Sequence, residues 1–194
     1  MGNDLDYLRS STKYIILMTI IFILSMIAGL LVAIKYPGLS AGYLKEFEGS
    51  YGWLKTVDPL LIMLVIFANN ALKSLAALVM GAALGIIPIL FVIGNGMIIS
   101  ILADAVSRQH GTLFVIKALL PHGIIEVPMI LISTGIGLRI GHLMFMSFMG
   151  QRADIKKELK MGTGFFLRRI APLLFVAAFI ETFVTPYIVM FPGP

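Results

Sequence analysis

Cysteine is absent and charge is scarce. With no Cys in 194 residues, disulfides, thiol nucleophiles and Cys-based zinc sites are excluded, while the compartment is left open. Charged residues make up 13% of the chain, about half the ~25% of a soluble globular domain. The phosphate-binding loop GxxxxGK followed by Ser or Thr does not occur, and neither does the nucleophile elbow GxSxG. The metalloprotease helix HExxH is missing too, and no Ser is placed with a His as in a serine hydrolase. GNG at Gly94–Gly96 has no strand before it and lies inside a hydrophobic run, so it is not a dinucleotide loop. No catalytic residue is nominated, and the balance of motifs is against an enzyme.

What is abundant is apolar sequence. Apolar residues reach 59% and mean hydropathy is +0.98, which places the chain in the membrane class. The net charge of +5 does not imply nucleic acid, because the basic residues cluster beside hydrophobic runs, where topology explains them. Tyr14 to Ile34 carries no charge, is long enough to span, and lacks a small-residue cleavage pattern at its end; it reads as an anchor rather than a signal peptide. Pro59 to Leu102 holds one charge, Lys73. As helix it is roughly 65 Å long, twice the ~30 Å hydrocarbon core, so it crosses twice, turning at GAALGIIP (Gly81–Pro88).

The expected fold is all-α: a polytopic membrane helical bundle of about five transmembrane helices, at 14–34, 59–80, 86–106, 113–141 and 170–191. Residues 35–58 read as an external interfacial segment, with Tyr43, Phe47, Tyr51 and Trp53 at headgroup level. DAVSRQHG (Asp104–Gly111) reads as a short polar loop. Pro121 is expected to divide the fourth apolar run, leaving Leu113–Leu120 interfacial. Residues 142–169 read as a basic cytoplasmic loop; Arg139 to Arg169 holds seven Lys/Arg against two acids. Arg9, Lys13 and that stretch give one face nine Lys/Arg, against five on the other: Lys35, Lys45, Lys55, Arg108 and Lys117. The positive-inside rule then puts the N-terminus in the cytoplasm and the C-terminus outside the cell membrane.

Several residues are ones that lipid should reject: Asn69, Asn70, Lys73, Asn95, His122, Glu126 and Glu181. Ionisable groups at a span centre cost about 2.5–3.5 kcal/mol each on insertion scales, so they face the bundle interior and pair. Asn69 and Lys73 share a helical face, as do His122 and Glu126. One reading is structural: Lys73 pairs with Glu126 or Glu181, and the asparagines bridge helices. Another is an ion or headgroup site, with His122, Glu126 and Glu181 as ligands for zinc or another divalent cation. A third is a transport path past the same groups, favoured by helices broken at Pro88 and Pro121. A metal-dependent intramembrane hydrolase is a further alternative. Gly81/Gly85 and Gly137/Gly141 are small-xxx-small pairs for close helix packing, within the bundle or at a dimer seam.

In order along the chain, IFANN (Ile66–Asn70), GAALGIIP, IGNG (Ile93–Gly96), LLPHGIIEVP (Leu119–Pro128), GIGLRIG (Gly135–Gly141) and AAFIETFVTP (Ala177–Pro186) closely resemble the stage II sporulation protein M family, over roughly Leu60 to Pro186. Asn70, Asn95, Gly96, His122, Gly123, Glu126 and Glu181 fall on what look like its signature positions. The resemblance implies about five spans. It also implies a membrane component of an envelope complex, since sporulation members act with cell-wall hydrolases in engulfment without being hydrolases. Relatives in organisms that never sporulate keep that process from carrying over directly. The expected partners are the bilayer, a second copy (a dimer first) and envelope proteins.

Overall fold

A computed structural model describes residues 2–52 and 56–190, and among these there is helix and turn but no strand. Trp53, Lys55 and Phe191, which entered the expectations above, lie outside the described residues. Five helical stretches are long and apolar enough to cross a membrane: Asp4–Lys35, Pro59–Ala82, Ile86–His110, Thr112–Phe148 and Ile155–Met190. The five-helix bundle expected from hydropathy is therefore present.

Helix α1 (Gly2–Lys35) runs 34 residues, about 51 Å, and overshoots a ~30 Å core. Its polar first turns are helical because they pack: Tyr7 and Ser11 are buried. Helix α2 (Pro37–Tyr51) takes up most of the segment expected to be interfacial, and buries Ser40 and Leu44. Helix α3 (Pro59–Val79) starts where Asp58 accepts a hydrogen bond from the Leu60 amide at 2.8 Å, with Pro59 in the first turn. A short 3-10 turn (Met80–Ala82) follows. Gly85 (φ +76°) then supplies the left-handed residue from which helix α4 (Ile86–His110) departs. The chain does reverse inside GAALGIIP. Asn69 and Asn70 lie in mid-helix.

One expected loop is helix, and one expected break is absent. Asp104 to His110 continues α4, where Arg108 Nε bonds Asp104 Oδ2 at 2.8 Å one turn away, and only Gly111 separates it from helix α5 (Thr112–Phe148). Pro121 does not divide α5, which runs unbroken through Pro121 and Pro128. A proline removes one backbone donor, and in a packed membrane bundle neighbouring groups and small local adjustments absorb that loss. Pro88 likewise sits in the first turn of α4, where prolines are tolerated, so neither proline breaks a span.

The basic segment is also shorter than expected. Helix α5 continues to Phe148, and Asp154 then caps helix α6 (Ile155–Phe165), accepting from the Lys157 amide at 2.9 Å. A π-turn (Phe166–Ile170), helix α7 (Ala171–Phe179), a second π-turn (Ile180–Val184) and helix α8 (Thr185–Met190) complete one continuous helical stretch. Each π-turn ends two residues before a proline, Pro172 or Pro186. A proline ring clashes with the carbonyl four residues back, here that of Arg168 or Thr182, and the wider turn relieves this.

Helix α5 is the axis of the bundle, packing against α1, α3, α4, α6, α7 and α8. Close approach is made by absent side chains. A methyl group on Gly81 would collide with the Gly137 carbonyl, and one on Gly141 with the Gly85 backbone, so the two small-xxx-small pairs meet each other within one chain. Ser133 on α5 donates to the Ser74 carbonyl on α3 at 2.9 Å across the same seam. On the other side, Gly96 of α4 lies against Phe22 and Ser25 of α1. The apolar core is built where these helices converge, with Leu78, Ile136, Ile140 and Ile170 fully buried.

Candidate metal centre

His122 and Glu126 project from the same face of α5, as their four-residue spacing requires. Glu181 comes from the second π-turn of the C-terminal stretch. The packing of that stretch on α5 brings one ligand-type atom from each residue within 4.8 Å of the others. All three side chains are half-buried. The π-turn is what presents Glu181, since one extra residue per turn re-aims the side chains that follow; π-turns recur at functional sites for this reason. Thr185 Oγ1, five residues on, donates to the Ile180 carbonyl at 3.2 Å and helps close the widened turn.

The electrostatics of the set are incomplete as the protein stands. Two carboxyl groups face each other across it, and among the described residues neither Glu126 nor Glu181 forms a salt bridge. His122 Nδ1 is buried without a hydrogen-bond partner, and so is the Oγ1 of Thr182, next to Glu181. Uncompensated charge and orphaned donors or acceptors are expensive in an apolar surround. One nitrogen and two carboxylate ligands match the donor chemistry of zinc and similar divalent ions, which are bound at ~2.0–2.2 Å.

Lys73 is exposed on α3 and makes no ion pair among the described residues, so the structural reading in which it pairs with Glu126 or Glu181 is corrected. Its position on the outer side of α3 is the physical reason. Asn69 donates to Asn70 at 3.1 Å on the same helix. Asn95 Nδ2 donates to the Phe91 carbonyl one turn back at 2.7 Å, satisfying itself on α4 rather than bridging helices. Among the histidine and carboxylate side chains, the convergence is between α5 and the C-terminal stretch.

Sequence reasoning missed a second polar assembly, at the end of the bundle where α1 begins. Arg139 donates to Ser10 at 2.6 Å and to Glu158 at 3.1 Å, and its guanidinium lies 5.0 Å over the Tyr7 ring. It ties α1, α5 and α6 together. Arg168 and Arg169 both bond Asp4 at 2.9 Å. In the sequence Arg139 stands near the end of the expected fourth span and heads the basic stretch; its place in the Gly-rich GIGLRIG helix face was the available signal.

Five membrane-length helices, four of them packed around α5, define a polytopic, all-α integral membrane protein. The chain belongs to the stage II sporulation protein M family, whose profile matches residues 18–186. It is also similar to the uncharacterized protein MJ0793 of Methanocaldococcus jannaschii, being 31% identical over 128 residues, which is 62% of this chain and 69% of that one. No solved structure matches it.

Proposed function

We propose that this protein is a non-enzymatic scaffold of the cell membrane, a component of an envelope complex, that holds a divalent cation between His122, Glu126 and Glu181. One observation carries the reading: two unpaired carboxyl groups and a histidine with an unsatisfied nitrogen converge within 4.8 Å between α5 and the C-terminal helix. A cation there supplies the missing positive charge and links α5 to the C-terminal stretch at the second π-turn, away from the Arg139–Glu158 pair. Bound metal would fix the C-terminal helix against the axis of the bundle, which suits a protein whose loops recruit partners. A transport path would use the same groups. The feature that spoke for it, helices broken at Pro88 and Pro121, is weakened, since Pro121 lies inside a continuous helix and Pro88 in the first turn of α4. Charge distribution supports a cytoplasmic N-terminus and an external C-terminus, and a homodimer is the assembly we propose.

Metal analysis of the purified protein tests this. The expected result is one divalent ion, zinc foremost, per chain, lost on His122→Ala. A protein that stays metal-free after incubation with zinc, manganese and calcium, and whose melting temperature none of them moves, overturns the reading.

A further inference from the structure

Away from the cation centre, the structure joins an apolar recess to exposed positive charge. The first turns of α1, the middle of α5 and the α6–α7 junction enclose a half-open recess of about 350 Å³, within the ~300–1,000 Å³ range of ligand pockets. Leu5 and Leu8, Met129 and Ile132, and Phe165 and Leu173 wall it, and its polar residues are Asp4 and Arg169. Asp4 lies between two guanidiniums: Arg168 Nη2 reaches one carboxylate oxygen and Arg169 Nε the other, each at 2.9 Å. One carboxylate against two arginines leaves a positive charge uncompensated. Each guanidinium gives Asp4 one of its five donors in these bonds, and the Arg168 and Arg169 side chains are 60% and 45% exposed. Both arginines immediately precede the apolar run Ala171–Phe179, which sets them at the boundary between headgroups and hydrocarbon.

We propose that this recess binds one anionic phospholipid, its phosphate on Arg168 and Arg169 and an acyl chain against Leu5, Leu8, Met129 and Ile132. Charge complementarity selects the headgroup: planar guanidiniums bind phosphate through paired N–H donors, and a zwitterionic lipid brings its own cation against them. The apolar walls select a lipid over free phosphate, which would leave the recess unfilled. Basic pockets between membrane helices take anionic lipids in this way. Met129 lies three residues from Glu126 along α5, so a filled recess buttresses the helix that carries two of the proposed metal ligands. The lipid site does not depend on the metal, and Arg168 and Arg169 are not among the cation's ligands.

The test is native mass spectrometry of the intact protein released from nanodiscs of phosphatidylglycerol and phosphatidylcholine in equal parts. The expected result is one phosphatidylglycerol retained per chain in preference to phosphatidylcholine. Arg168→Gln with Arg169→Gln should lower that preference about tenfold. Leu8→Trp, which fills the recess and keeps both arginines, should lower retention of either lipid, while Lys156→Gln with Lys157→Gln should leave the preference unchanged. Inorganic phosphate added to the wild-type protein should not displace the lipid, a readout that needs no variant to fold. Equal retention of the two lipids, wild-type preference in the double arginine variant, an equal loss in the lysine variant, or release by free phosphate each overturns the proposal.

Discussion

Glu181, on the C-terminal helix, meets Glu126 of α5 with no basic side chain paired to either carboxylate among the described residues. Like charges this close repel unless a proton or a cation lies between them, and the stability of the seam follows whichever is present.

Glu181→Gln therefore has opposite effects in two states. In metal-stripped protein it removes the repulsion and raises the melting temperature by about 2–4 °C, the shift that ~1 kcal/mol produces in a chain of this size. In metal-loaded protein it removes a ligand and lowers the melting temperature. Thermal unfolding in detergent with and without chelator measures both; the same sign in both states would argue against a metal seam.

Pro186→Ala probes the π-turn. Without the ring clash against the Thr182 carbonyl the C-terminal stretch can wind as regular α-helix, which rotates Glu181 away from His122 and Glu126. Helical content should be kept or rise while metal retention drops severalfold. Circular dichroism paired with metal analysis reads the two effects separately.

The glycine seam predicts a sharp positional contrast. Gly137→Ala forces the added methyl into the Ala77 carbonyl and Leu78 backbone, 2.7 and 3.0 Å from where it must sit, and should destabilise by about 1–3 kcal/mol. At Gly94 a methyl meets nothing within 4 Å, so Gly94→Ala should be neutral or stabilising by up to ~1 kcal/mol. Denaturation of the two variants side by side decides the matter.

Arg139 and Glu158 form a pair whose side chains are only 15% and 17% exposed. Removing one partner leaves a shielded charge alone, so Glu158→Ala should cost about 2–3 kcal/mol, below the ~3–5 of a fully buried pair because some solvent screens it. Arg139→Met with Glu158→Leu should recover much of that loss. A double-mutant cycle by thermal unfolding gives the coupling directly.

The absence of cysteine allows a test of orientation with single introduced thiols. Lys45→Cys on α2 should react with a membrane-impermeant maleimide in intact cells, whereas Lys157→Cys on α6 should react only after permeabilisation. The reverse pattern would invert the proposed topology.

The bundle was legible because each span is a local property: hydropathy and length decide whether a helix can cross, and Asp58–Pro59 and the Gly81–Gly85 turn mark boundaries with residues whose preferences act within a few positions. The His122–Glu126 pair was legible for the same reason, since a four-residue spacing puts two side chains on one face of any helix. Boundaries set by packing were not. Asp104–His110 is polar enough to read as a loop, yet it stays helical with an ion pair one turn apart, and 142–148, expected in the basic loop, continues α5. Pro121 looked like a break because its local cost is real, yet α5 runs through it unbroken.

Composition and spacing alone settle that this chain is a five-pass helical protein, and which few polar residues it must hide, because the cost of leaving water is paid residue by residue. They leave open whom those residues meet. His122, Glu126 and Glu181 are readable in the sequence as ligand types, but only the fold brings Glu181 to His122 while it leaves Lys73 exposed on α3. Rotation of one helix about its axis is nearly free in sequence terms and is fixed by side-chain contacts and glycine gaps contributed by other helices.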